Sequence, residues 1–143
     1  MAGPLAGIRI VDVSAILSGP LATMLLADQG AEVIKIEAPG TGDFMRFGPF
    51  RRGNLSAFFA NANRGKRSLV LDLAKPRARE LAKELVRRAD VFVQNWRPGA
   101  AERLGLGPDD LRALNPGLVY VSISGYGDSG PYRDPRVHDP IIH

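Results

Sequence analysis

Ile8-Arg9-Ile10-Val11-Asp12-Val13, then Ser18 through Asp28, then Glu32-Val33-Ile34-Lys35-Ile36-Glu37: the order of these three stretches decides the fold. The first is a short β-branched run bounded by Gly7 and the polar Ser14, which reads as a buried strand. Ser18 can cap the helix that follows, Pro20 suits an early helical position, and Gln29-Gly30 supplies a stop after Leu21, Met24 and Leu25. The third stretch is again apolar at Val33, Ile34 and Ile36 and closes on Ala38-Pro39-Gly40, a second strand ending in a loop.

Working outward, the same alternation continues. An irregular stretch through Gly53 and a short helix over 55–60 lead to a third strand, Arg67-Ser68-Leu69-Val70-Leu71-Asp72-Leu73. Pro76 opens a helix with Ala78, Leu81, Ala82, Leu85 and Val86 on one face and Arg79, Glu80, Lys83, Glu84 and Arg87 outside it. Val91-Phe92-Val93 gives a fourth strand, Pro108-Asp109-Asp110-Leu111 starts another helix, and Leu118 to Ile123 gives a fifth strand. Strands that are apolar runs instead of strict alternations, separated by helices, imply an α/β fold with a doubly wound, mostly parallel sheet. In that class ligands sit beyond the carboxyl ends of the strands, so the loops after Val13, Glu37, Leu73, Val93 and Ser124 are where function should concentrate.

A chain of 143 residues, 45% hydrophobic and 24% charged, has material for one core, and one domain over 1–143 is expected. The absence of cysteine excludes disulfides, thiolate metal sites and a cysteine nucleophile, and fits a reducing cytoplasm. Neither a basic, apolar leader nor an apolar run of about 18 residues is present, so neither export nor membrane insertion is expected. The net charge of +4 comes from small scattered groups, which suit a solvated surface or a polyphosphate ligand equally.

Four motifs lie at the strand ends. Gly125-Tyr126-Gly127-Asp128-Ser129-Gly130 matches a dinucleotide-binding glycine pattern, yet Pro131 and Pro135 follow where a phosphate-facing helix would have to start. Asn63-Arg64-Gly65-Lys66-Arg67-Ser68 gathers three cations on a turn, either an anion clamp or a solvated turn. Asn95-Trp96-Arg97-Pro98-Gly99 offers an amide, the only tryptophan and a fixed cation, which suit a purine and its phosphates unless the ring packs beneath its own loop. Arg136-Val137-His138-Asp139 carries an imidazole able to move protons near neutral pH, although neighbours on an extended segment point apart and a surface histidine is the plainer reading.

Taken together, Pro4-Leu5-Ala6-Gly7-Ile8-Arg9-Ile10, Gly19-Pro20, the run Leu26 to Glu37, Asn63 to Ser68, Arg97-Pro98-Gly99, Glu102-Arg103-Leu104-Gly105 and Gly125-Tyr126-Gly127 resemble the class III CoA-transferase family, with formyl-CoA and carnitine CoA-transferases and α-methylacyl-CoA racemases among its members. The resemblance implies the first part of a large Rossmann-like domain, incomplete at its C-terminus, and a homodimer of interlocked chains for the full-length protein. It implies that coenzyme A or an acyl-CoA, bound as substrate and not as a covalent cofactor, lies along Ser18, Leu71, Asp72, Leu73, Ala74, Asn95, Trp96, Arg97, Arg103, Arg136, Val137, His138 and Asp139. Leu17 and Ala38 depart from the glutamine and arginine that many members carry, which weakens substrate assignment by analogy. Transferases of the family use an aspartate nucleophile in a segment beyond the match to Asp139, and in the racemases a histidine matching His138 shares proton transfer with it.

These readings lead to a CoA-transferase acting between acyl-CoA and carboxylic acids, present as a fragment that would be inactive alone. A racemase, with His138 as acid/base, and a non-catalytic anion- or nucleic-acid-binding module are the alternatives. No metal, nucleic-acid or membrane partner is expected.

Overall fold

In this computed structural model, which describes residues 3–53 and 55–133, the β-branched runs are strands. They are β1 (Arg9–Asp12), β2 (Glu32–Glu37), β3 (Arg51–Arg52), β4 (Leu55–Ser56), β5 (Lys66–Val70), β6 (Val91–Gln94) and β7 (Val119–Ser122). Between them lie α1 (Ser18–Asp28), α2 (Ala57–Asn63), α3 (Pro76–Val86), α4 (Ala100–Arg103) and α5 (Pro108–Leu114). The main sheet has the order β5-β2-β1-β6-β7 and is parallel throughout, with Val11 opposite both Ile34 and Phe92. From β1 the chain winds outward through β2 and β5, then returns to β6 on the other side of β1. The sheet therefore switches direction between β1 and β6, and their carboxyl ends diverge into a crevice.

Period-two alternation divides the core into two layers. On one face Val11, Val13, Ile36 and Phe92 pack with Ala82 and Val86 of α3 and Leu111 of α5. On the other, Ile10, Val33 and Val93 pack with Leu26 and Ala27 of α1. Phe92, Leu106 and Leu111 are wholly buried, each worth about 1.5–3 kcal/mol of transfer free energy. The Phe92 and Tyr120 rings stack at 5.3 Å across β6 and β7.

Local chemistry explains where the boundaries depart from expectation. Ser18 is the first residue inside α1 and caps nothing; Leu17 holds the cap position. The third strand stops at Val70 because Asp72 closes a turn, accepting Ala74 N–H on Oδ1 at 3.1 Å and Lys75 N–H on its carbonyl at 2.8 Å. The helix expected over 55–60 starts two residues later, since Leu55–Ser56 pairs antiparallel with Arg51–Arg52 before α2 begins. A one-turn 3-10 helix at Phe44–Phe47, capped by Asp43, and the short α4 had no anticipated counterpart. Among the described residues no helix is long and apolar enough to cross a membrane.

Candidate functional site

On the α1 face of the sheet, Ile10 and Val33 are apolar, but the next residues of the same parity are Asp12, Lys35 and Glu37, all buried. The face turns from hydrocarbon to ion pairs toward the carboxyl ends, where the crevice lies. Lys66 Nζ donates to Asp12 Oδ2 at 2.9 Å, and also to Pro20 O at 2.8 Å and Asn63 Oδ1 at 2.9 Å. Lys35 Nζ lies 3.0 Å from Asp43 Oδ2 and donates to the Ser14 carbonyl at 2.7 Å. Arg46 grips both oxygens of Glu37 at 2.7 Å while its guanidinium sits 3.8 Å from the Phe59 ring centre. Three acids and three bases thus cancel where an unpaired charge would be prohibitive.

Their titration follows from that pairing. Burial pushes the Glu37 carboxyl up, but hydrogen bonds from Arg46, the Asp43 backbone and Ser68 outweigh it and bring it down to about 2. Burial likewise raises Asp12, and Lys66, Lys35, Ser14 and Thr23 together hold it below the usual carboxylate range. Lys66 is lowered because desolvation exceeds the attraction of Asp12. Away from this network, burial and the nearby Glu102 raise Tyr120 to about 12.

The β1–α1 turn is the crevice's other wall. Asn95, just past β6, clasps Ala15 from the side: its Oδ1 accepts Ala15 N–H at 2.9 Å and its Nδ2 donates to Ala15 O at 2.7 Å. Ile16 N–H donates to Asp43 Oδ1 at 3.1 Å, and Ile16 adopts φ +69°, a left-handed conformation rare for a β-branched residue. Between this turn, the loop after β2 and the loop after β5 opens a cleft of about 330 Å³, with Ser14, Ala15, Asp43, Leu73 and Trp96 among its lining. A smaller cleft of about 270 Å³ lies on the α5 side, where Gln94, Arg97, Arg112 and Tyr120 meet.

Most of the expected site residues that are described converge here. Leu71, Asp72, Leu73, Ala74 and Trp96 line the larger cleft, with Asn95 as its clasp and Ser18 exposed beside it, 3.5 Å from the Asn95 amide nitrogen. Trp96 does both things the sequence left open, packing against the α3–α5 core while lining the cleft. Arg97 faces the smaller cleft, and Arg103 is exposed on α4, lining neither. Arg136, Val137, His138 and Asp139 lie outside the described residues.

The cations of the basic turn are paired within the chain, Lys66 with Asp12 in a buried pair and Arg64 with Asp28 and Arg67 with Glu32 in exposed ones, which removes Lys66 from any anion clamp. The glycine pattern at 125–130 is followed by no helix through Arg133, and Gly127 N–H turns back to Ser124 Oγ at 2.9 Å. Residue-by-residue reading passed over Asp12, Lys35, Glu37, Asp43 and Arg46. Charges spaced by two inside apolar strands were the available signal, since a sheet covered on both faces must bury them.

Comparison with known proteins agrees on one family. The family pattern described as CoA-transferase family III matches residues 5–143. An acyl-CoA transferase of Fusarium pseudograminearum is 46% identical over 97% of this chain and 32% of its own length. Acetyl-CoA:oxalate CoA-transferase of Acetobacter aceti is 43% identical over 98% of the chain and 36% of its own. Among solved structures, a CAIB/BAIF family protein from Brucella suis superposes with a TM-score of 0.93 at 39% identity, covering 99% of this chain and 39% of that one. The chain spans about a third of the length of these curated relatives.

Proposed function

The chain belongs to CoA-transferase family III, and from that premise we propose that it supplies the coenzyme A-binding part of an enzyme that moves CoA between carboxylic acids. The observation that carries this reading is the cleft at the switch point, walled by Ser14–Ala15, Leu71–Ala74 and the only tryptophan. Its form suits a nucleotide-bearing ligand: an aromatic surface at the strand ends, with the exposed cations Arg97 at the neighbouring cleft and Arg103 on α4.

The aspartate chemistry that the family resemblance implies needs a carboxylate free to attack the acyl group. Glu37 and Asp43 at the cleft are held in ion pairs, and Asp72 is engaged in its own turn. The described residues accordingly bind and orient, and we place the nucleophile outside them. The acyl-CoA and carboxylic acid substrates, a homodimeric assembly and a cytoplasmic location complete the proposal. The exposed Phe44, Phe47 and Phe50 support an assembly that covers them, and the absence of cysteine supports a reducing compartment.

Because Trp96 is the only tryptophan and lines the cleft, titration with coenzyme A should change the intrinsic fluorescence saturably, and calorimetry should return the same affinity. The absence of both a fluorescence change and heat at millimolar CoA or acyl-CoA would defeat the reading.

A further inference from the structure

Ile16 is out of place by its own chemistry. A β-branched residue resists positive φ, yet Ile16 holds +69° in the turn that delivers Ser14 and Ala15 to the cleft. Nor is it retained as core, since it is 52% exposed. Something must hold it, and the structure shows what does. Asp43 Oδ1 accepts the Ile16 N–H at 3.1 Å and the Met45 N–H at 2.9 Å. The other carboxylate oxygen lies 3.0 Å from Lys35 Nζ, which also donates to the Ser14 carbonyl at 2.7 Å. Asp43 and Lys35 therefore bind two neighbouring peptides of the same turn, while the Asp43 N–H is anchored on Glu37 Oε2 at 3.0 Å.

We propose that Asp43 is a positioning residue, which locks the Ile16 peptide in its left-handed conformation and thereby fixes the Ser14–Ala15 wall of the cleft in the geometry that receives ligand. The proposal rests on the reading of this cleft as the coenzyme A site. Its logic is that of a population: affinity falls by the fraction of molecules whose turn is correctly formed. An L-residue released from its tether disfavours left-handed φ by about tenfold. Glycine adopts positive φ about as readily as negative, so a glycine turn would need no tether.

The test is coenzyme A affinity, by calorimetry, of Asp43→Ala, Ile16→Gly and the double variant. Asp43→Ala should bind about tenfold more weakly, and adding Ile16→Gly should restore affinity to within about threefold of the parent. A role in charge balance alone predicts no such rescue. Asp43→Asn in a Lys35→Met background, which keeps the oxygen that accepts Ile16 N–H without setting an amide nitrogen against the buried ammonium, should stay within about threefold of Lys35→Met alone. If Asp43→Ala strands the Lys35 ammonium and fails to fold, Lys35→Met is added to every member of the series. Wild-type affinity in Asp43→Ala, or a double variant as weak as the single, overturns the proposal. Should the parent bind no coenzyme A, the functional reading fails separately. Amide exchange at Ile16 in the free protein then decides: about tenfold faster exchange in Asp43→Ala supports the lock, and unchanged exchange sinks it.

Discussion

Glu37→Gln tests the ion network through its dependence on pH. The Glu37 carboxylate receives Arg46 Nε and Nη2 at 2.7 Å, Ser68 Oγ at 2.8 Å and the Asp43 N–H at 3.0 Å, which brings its pKa from an ordinary 4.5 to about 2. A folded pKa below the unfolded one means stability that is complete well above pH 4.5 and lost as pH falls through 4.5 toward 2. At roughly 1.4 kcal/mol per pH unit the full contribution is about 3 kcal/mol, of which about 2 is gone by pH 3. Glutamine keeps the shape without the titration. Denaturant unfolding of parent and variant from pH 7 to 3 should therefore give a stability gap of about 2–3 kcal/mol at neutrality that narrows by about 2 kcal/mol at pH 3. Other carboxylates, Asp12 included, titrate in both proteins and cancel in the difference. A gap that stays constant to pH 3 would refute the claim that charge, and not packing, makes Glu37 hold the loop after β2.

Lys66→Met leaves Asp12, wholly buried, without its closest cation, and should cost about 3–5 kcal/mol in denaturant unfolding. Adding Asp12→Asn should recover most of that loss, because the amide oxygen can still accept from Ser14 while the amide nitrogen, in place of Oδ2, donates to Thr23 Oγ1. Leu106→Ala, at a site with no exposure, should lower stability by about 2–5 kcal/mol; coenzyme A affinity, measured well below the melting temperature, should hold.

The sheet was legible because its signals are local. Val-Ile-Lys-Ile and Val-Phe-Val favour strands by composition, and of the α3 stripe Ala78, Ala82 and Val86 are buried and Leu85 packs against the core, whereas Leu81 at the stripe's edge is exposed. The cleft was partly legible, since winding order alone sends function to the strand ends. What escaped was set by contacts distant in sequence. Asp43 caps the 3-10 helix and holds Ile16, 27 residues away, and no local propensity announces either act. The sequence treated Lys66 alike with Arg64 and Arg67, as part of an anion clamp or a solvated turn; only the burial of its side chain, 2% exposed, separates it from them.

Why charges should occupy a site that hydrocarbon could fill follows from direction. Desolvating an ion pair takes back much of its Coulomb energy, so apolar residues of equal volume would stabilise this layer at least as well. An apolar side chain, however, fixes no neighbouring peptide. Lys66 reaches from β5 to β1 and to the first turn of α1 through Pro20 O. Lys35 reaches from β2 to the β1–α1 turn, and Glu37 from the end of β2 to Asp43 and Arg46. Each pair ties a strand end to backbone or side chain of a loop, and the tied segments are those that wall or border the cleft. The network is then the means by which a rigid sheet transmits its geometry to irregular chain, and its stability cost falls where ligand geometry has to be held.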